Sequence, residues 1–212
     1  MADKEILIFV EGPSDKVFLE VYLYFLEDLP IKNFKVQNIK GKDNLSKRLL
    51  EIEKYDKTLI IFDADKDYES NKKEILKVVS KTKQTISEEQ IFLFPNNQDD
   101  GDLETLLSEI ANYKEFINCF ESYLDCIKKK EHYKPIKNIR KSMWYAYLEA
   151  LGLENLTKID IFDNESKIKN KHEENYRRLK EVIKFNSKSL IPLKNFLEKS
   201  TENKQKTKLK IF

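Results

Sequence analysis

Two hydrophobic periodicities alternate along the first hundred residues. Ile6–Val10 is a short unbroken apolar run. From about Asp15 to Glu27, Val17, Leu19, Val21, Tyr22 and Phe25 mark a broad helical face. Phe34–Ile39 reads as a second strand, with Phe34 and Val36 alternating before an interruption at Gln37 and Asn38. Asp43 or Asn44 is suited to cap a helix running through Leu45, Leu49, Leu50 and Ile52. "TLIIF", Thr58–Phe62, is continuously apolar, as strands buried on both faces of a parallel sheet are. A charged helix is predicted over roughly 69–82, and "IFLF", Ile91–Phe94, is a fourth strand ended by Pro95. Strands separated by helices imply right-handed crossovers. The predicted fold is α/β, a mainly parallel four-stranded sheet flanked by helices.

From about Asp102 onward the pattern is almost wholly helical. Helices are predicted over Leu103–Ile110, 112–129, Ile136–Leu151, 172–185 and 190–199, with "KIDIFD" at 158–163 as an extended segment and a loosely held basic tail. Residues 1–110 thus form an α/β core and 111–212 a helical C-terminal elaboration packed on it. Only four Gly and five Pro, with no break in composition, argue against a long linker, so a single domain is expected overall.

Charge sharpens this division. The net charge is +2, yet residues 1–105 carry 16 Lys and Arg against 22 Asp and Glu, a balance of −6, and the remainder carries 23 against 15, a balance of +8. An acidic half beside a basic half suits a metal site presented next to a polyanion-binding surface, although a Lys-rich composition also scatters charge over solvated faces. Cys119 and Cys126, seven apart on one helical pattern, read as reduced, partly buried thiols. His132 and His172 lack zinc-ligand spacing, so any metal would be held by oxygen. The apolar run near the start is too short for a membrane span, and a cytoplasmic protein with no membrane partner is expected.

In an open α/β sheet ligands bind beyond the carboxyl ends of the strands. Glu11 ends the first predicted strand, Asp63 and Asp65 the third, and Asp99, Asp100, Asp102 and Glu104 follow the fourth. Carboxylates gathered on one edge repel one another unless a cation neutralises them, and hard oxygen donors favour magnesium or manganese. Each element also has a plain structural reading. Gly12-Pro13 suits a turn, Ser14 or Asp15 a helix cap, and "DDGD" a turn followed by an acidic first helical turn.

"FVEGPSD" followed by "IIFDAD" resembles the Toprim domain shared by topoisomerases, bacterial primases, ribosomal RNA maturases and OLD-family nucleases, and the EGxxD form is most similar to the OLD-type branch. The whole chain, with "FLFPNNQDDGDLETLL" and "KSMWYAYLEAL", is similar to small standalone Toprim-like proteins of uncharacterised function. The resemblance implies a Toprim-like fold and a Mg²⁺- or Mn²⁺-dependent nuclease acting on DNA or RNA. It implies Glu11 as proton-transfer group or metal ligand, Asp63 and Asp65 as the metal-binding pair, and Asp15 as the extra acid. Glu104 is favoured over Asp99 and Asp102 as a further ligand, and Lys141 is the candidate for the later basic residue. No ATPase module accompanies these motifs, so a separate ATPase or other protein partner is a further expectation; the oligomeric state is left open. Lys40 and Lys42, flanking Gly41 after the second strand, suit equally a loop that holds a neighbouring phosphate and a plain Gly turn with exposed lysines. Lys137, Arg140 and Lys141 share one predicted helical face at i, i+3, i+4; the plain reading is a solvated basic face, and the functional one makes them candidates for nucleic-acid binding. Competing readings are a nucleic-acid- or partner-binding module with a vestigial metal site, and a DxD phosphatase or nucleotide-sugar transferase. The phosphatase reading wants its DxD on the first strand and a Thr or Val where Asp67 stands.

Overall fold

Side chains along a strand alternate between faces, and here both faces of the sheet are apolar. The computed structural model describes residues 6–25, 33–154 and 170–202. Four strands, β1 (Ile6–Val10), β2 (Phe34–Asn38), β3 (Lys57–Asp63) and β4 (Ile91–Phe94), form one sheet in the order β2-β1-β3-β4, and every pair is parallel. Ile8, Val10, Leu59, Ile61, Phe92 and Phe94 face one side and Leu7, Phe9, Ile60, Phe62, Ile91 and Leu93 the other, all fully buried. Burial on both faces explains why the central strands read as unbroken apolar runs rather than alternating ones.

On the first face lies α1 (Pro13–Phe25), together with α4 (Leu103–Ile110), α6 (Ile139–Ala150), α7 (Asn170–Val182) and α8 (Ile191–Glu202). Trp144, Tyr147, Leu148, Leu179, Val182 and Leu193 join the strand residues in one continuous core, so the helical second half is packed directly on the sheet. Main-chain bonds reinforce that packing where α4 and α7 end: Asn112 donates to Val182 and Lys184 to Ile110. Between α4 and α6 runs α5 (Lys114–Ile127). The second face is covered by α2 (Leu49–Ile52) and α3 (Tyr68–Val79), through Ile52, Ile75 and Val79.

Three expectations are corrected. The segment after β2 is mainly a 3-10 helix, Lys42–Arg48, which only then becomes the single α-turn of α2. Gly41, at φ 101°, occupies the cap position with no side-chain cap bond. Asp43 and Asn44 therefore lie inside the 3-10 helix, and neither caps it. Helix α6 starts at Ile139 rather than Ile136, because Asn138 adopts the left-handed conformation at φ 55°. Both cysteines are exposed. The stretch 158–163 and the tail beyond Glu202 lie outside the described residues. Among those described, no helix is long and apolar enough to cross a membrane.

Candidate active site at the carboxyl edge of the sheet

Parallel pairing puts every strand's carboxyl end on one edge, and the register sets β1 beside β3 with Val10 opposite Ile61. Glu11 therefore emerges next to Asp63, whose backbone N–H donates to Glu11 Oε1 at 3.1 Å. Just beyond Glu11 the chain turns into α1, and the Gly12 N–H donates to Asp15 Oδ2 at 2.8 Å. That bond folds Asp15 back under the turn, where it is buried. Asp63 Oδ1 accepts from the Leu103 N–H at 2.9 Å, a carboxylate seated at the N-terminus of α4.

Asp65 lies in the left-handed region at φ 56°, which Asp tolerates better than most residues. Its position is fixed by a two-way backbone bridge: Asp65 N–H to Gly101 O at 2.7 Å, and Gly101 N–H to Asp65 O at 2.8 Å. Gly101 sits at φ 144°, and a Cβ there would stand 3.0 Å from Pro95 Cδ and 3.1 Å from Thr105 Oγ1. Only glycine lets the loop after β4 close onto the DxD turn in this way. Asp102 caps α4, Oδ1 accepting from the Thr105 N–H at 2.8 Å, and its carboxylate also takes the Arg140 guanidinium through Nε at 3.0 and 2.9 Å and Nη2 at 2.8 Å. The result is a cleft of about 470 Å³ in which Asp63, Asp65, Asp102 and Glu104 face Arg140 and Lys141.

The electrostatics follow from crowding and burial. Glu11 is pushed from its ordinary 4.5 to about 7, first by burial and then by the charges of Asp15 and Asp65, against the Asp63 N–H and Lys42, which pull it down. Asp63 is raised well above the usual carboxylate range by burial and by Asp15, Glu11 and Glu104. Burial likewise raises Asp15 and Glu104, and for both the Lys141 ammonium acts in the opposite sense. Asp102 differs: burial would raise it, but Arg140 and Thr105 outweigh burial and hold it low. These are carboxyls that a positive charge would relieve.

A family model described as a protein of unknown function (DUF3226) matches residues 5–202. The chain belongs to the DUF3226 family. No curated protein and no solved structure matches it.

The DUF3226 chain brings together most of the acids singled out from the sequence. Asp15, Glu11 and Glu104 all act on Asp63, Asp15 acts on Glu11 and Glu104 as well, and Asp65 acts on Glu11. Lys141 lines the cleft with Asp63, Asp65 and Glu104 and acts on Asp15 behind it, its ammonium 5.9 Å from the Tyr145 ring centroid, while the Tyr145 hydroxyl lies 3.4 Å from Ser14 Oγ; Glu11 and Asp15 do not line the cleft themselves. Asp99 and Asp100 are taken up locally. Asp99 accepts from the Asn96 side chain, and Asp100 Oδ1 accepts from the Tyr68 N–H at the start of α3. Lys40 is exposed, at φ 61°. Lys137 is exposed in the turn before α6, so it does not extend the helical face of Arg140 and Lys141.

Two contacts had no sequence signal. Lys42 Nζ donates to Asp65 Oδ2 and to Asn71 Oδ1, each at 2.7 Å, and Asn71 is itself held by the Ala64 carbonyl through Nδ2 at 2.6 Å. The pairing of Arg140 with Asp102 joins positions 38 residues apart. The Asp102 cap itself was readable, because Thr105 three residues later completes a capping box.

In chemistry the donors fit a hard divalent ion: all are oxygens, and several are buried acids that a cation would stabilise as carboxylates. In geometry, no three His, Cys, Asp or Glu side chains among the described residues are grouped so as to hold one ion. The second DxD carboxylate is instead engaged by Lys42.

Proposed function

We propose that the DUF3226 chain is a metal-dependent phosphodiester-processing enzyme, a nuclease acting on DNA or RNA with Mg²⁺ or Mn²⁺. The observation that carries this reading is the cleft, where the acidic strand ends meet Arg140 and Lys141 across about 470 Å³. Glu11, Asp63 and Asp65 would hold the ion only once their side chains regroup around it, with Asp15 and Glu104 completing its surroundings; when bound, it would polarise phosphoryl oxygens and supply activated water. Glu11, at about 7, is matched to accepting and returning a proton near neutral pH. Lys141, exposed and set against Asp15 and Glu104, offers a positive charge to a phosphate or leaving oxygen entering the cleft. The Arg140 side chain, 54% exposed despite its grip on Asp102, can contact a neighbouring phosphate and align the backbone. The Toprim-like resemblance of the EGxxD and DxD turns supports the same assignment.

The internal pairing of Asp65 with Lys42 and of Asp102 with Arg140 favours the second reading, a nucleic-acid- or partner-binding module with a vestigial site. One experiment separates them. Purified protein is incubated with plasmid, single-stranded DNA and RNA, with Mg²⁺, Mn²⁺ or chelator, beside Glu11→Gln. Ion-dependent cleavage lost in Glu11→Gln upholds the nuclease. Salt-sensitive binding without cleavage on any substrate upholds the binding module.

A further inference from the structure

We propose that Lys42 is a tethered counter-ion of the site: its ammonium occupies the DxD carboxylate in the ion-free protein and is expelled when a divalent ion binds. This rests on the metal-site reading above and concerns how that site is kept closed and opened.

Lys42 is delivered to Asp65 by built backbone. The Gly41 N–H donates to the Glu11 carbonyl at 2.8 Å, so the loop after β2 is fastened to the same turn that presents Glu11. Lys40 and Gly41 both take positive φ, at 61° and 101°, and the Lys40 N–H is held by Asn38 Oδ1 at 2.7 Å. Immediately after this double bend the 3-10 helix begins at Lys42. At the far end of its side chain the ammonium has two acceptors at 2.7 Å, one of them Asn71, whose orientation is set by the main chain of the DxD turn itself.

The pair is also releasable. The Lys42 side chain is 33% exposed and Asp65 50%, so water already reaches both partners. An ion pair this open competes poorly with a doubly charged ion for the same carboxylate oxygen. The ammonium sits on Asp65 Oδ2, so a divalent ion that takes this oxygen displaces it. The released ammonium stays beside Glu11, bound by its short loop, where it can meet the phosphate of an incoming strand.

The test reads ion binding and lysine accessibility, not turnover. Mn²⁺ affinity of the full chain is measured by calorimetry for the parent, Lys42→Met and the exposed control Lys47→Met. In parallel, parent protein is labelled with an amine-reactive reagent with and without Mn²⁺, and each lysine is followed by peptide mass spectrometry. Lys42→Met is expected to bind Mn²⁺ about five- to tenfold more tightly, with Lys47→Met unchanged. Labelling of Lys42, but not of Lys47, is expected to rise when Mn²⁺ is added. Unchanged or weaker binding by Lys42→Met, or Mn²⁺-independent labelling of Lys42 in a parent that does bind, overturns the counter-ion role and leaves the metal site standing. Absence of Mn²⁺ binding in both parent and Lys42→Met overturns both.

Discussion

Replacing Glu11 by Gln in ion-free protein should stabilise the fold, and by an amount set by pH. The Glu11 carboxyl is held at about 7 in the folded protein against its ordinary 4.5, mainly because burial disfavours its charged form. A carboxyl raised on folding costs nothing below its unfolded value, where it is protonated in both states. The penalty grows as pH climbs from 4.5 towards 7 and is complete above that. At 1.36 kcal/mol per unit, and with some screening of a part-buried group, the full penalty is about 2–3 kcal/mol. Glutamine keeps the Oε1 that accepts from the Asp63 N–H and never ionises. The variant should therefore match the parent near pH 4 and exceed it by about 2–3 kcal/mol at pH 8, or roughly 4–12 °C in Tm for a chain this size. Urea unfolding at a series of pH values, with chelator present, measures the difference. Coupling to Asp15 and Asp63 spreads the transition but leaves its sign unchanged. A Glu11→Gln protein less stable than the parent at pH 8, or a difference that does not vary with pH, would refute the buried-carboxylate account and return Glu11 to the role of a turn residue.

Other substitutions probe separate parts of the edge. Asp65→Asn should weaken Mn²⁺ binding more than about tenfold by calorimetry, because a neutral amide replaces an anionic donor; equal affinity would exclude Asp65 as a ligand. Lys141→Gln should lower nucleic-acid cleavage at least ~100-fold with little change in substrate binding, as expected for a charge that acts on the transition state. Loss confined to binding would assign Lys141 to substrate capture instead. Gly101→Ala should destabilise the protein by about 1–3 kcal/mol in urea, since a side chain is strained at its φ of 144° and a Cβ would press on Pro95 Cδ at 3.0 Å; a neutral result would refute the account in which only glycine suits this position.

The sheet was legible because burial on both faces leaves an unmistakable apolar run: the Thr58–Phe62 and Ile91–Phe94 stretches lie within or coincide with β3 and β4. Glu11, Asp63 and Asp65 on one edge followed from the crossover rule, which needs only strand order and direction. Backbone detail was harder. The sequence offered Asp43 and Asn44 as caps, but Gly41 takes the cap position in a conformation that only its missing side chain makes easy. Lys137 was placed on a helix face because nothing in its neighbours announced that Asn138 would turn left-handed. Least legible were the partners of long charged side chains. Lys42 meets Asp65 across 23 residues and Arg140 meets Asp102 across 38, through contacts that depend on where separate loops arrive in space.

Asp63 carries a consequence for how this family would drift. Its carboxylate holds the first amide of α4, a role in folding that would favour Asp there even in a relative without any chemistry at this edge. Asp65 has no such second employment: among the described residues, the hydrogen bond of its carboxylate is to Lys42, and its bridge to Gly101 is made by main chain alone. An inactive lineage should therefore keep the first acid of the DxD turn and let the second vary in step with Lys42, making that pair, rather than the more conspicuous Asp63, the historical record of whether the edge still works.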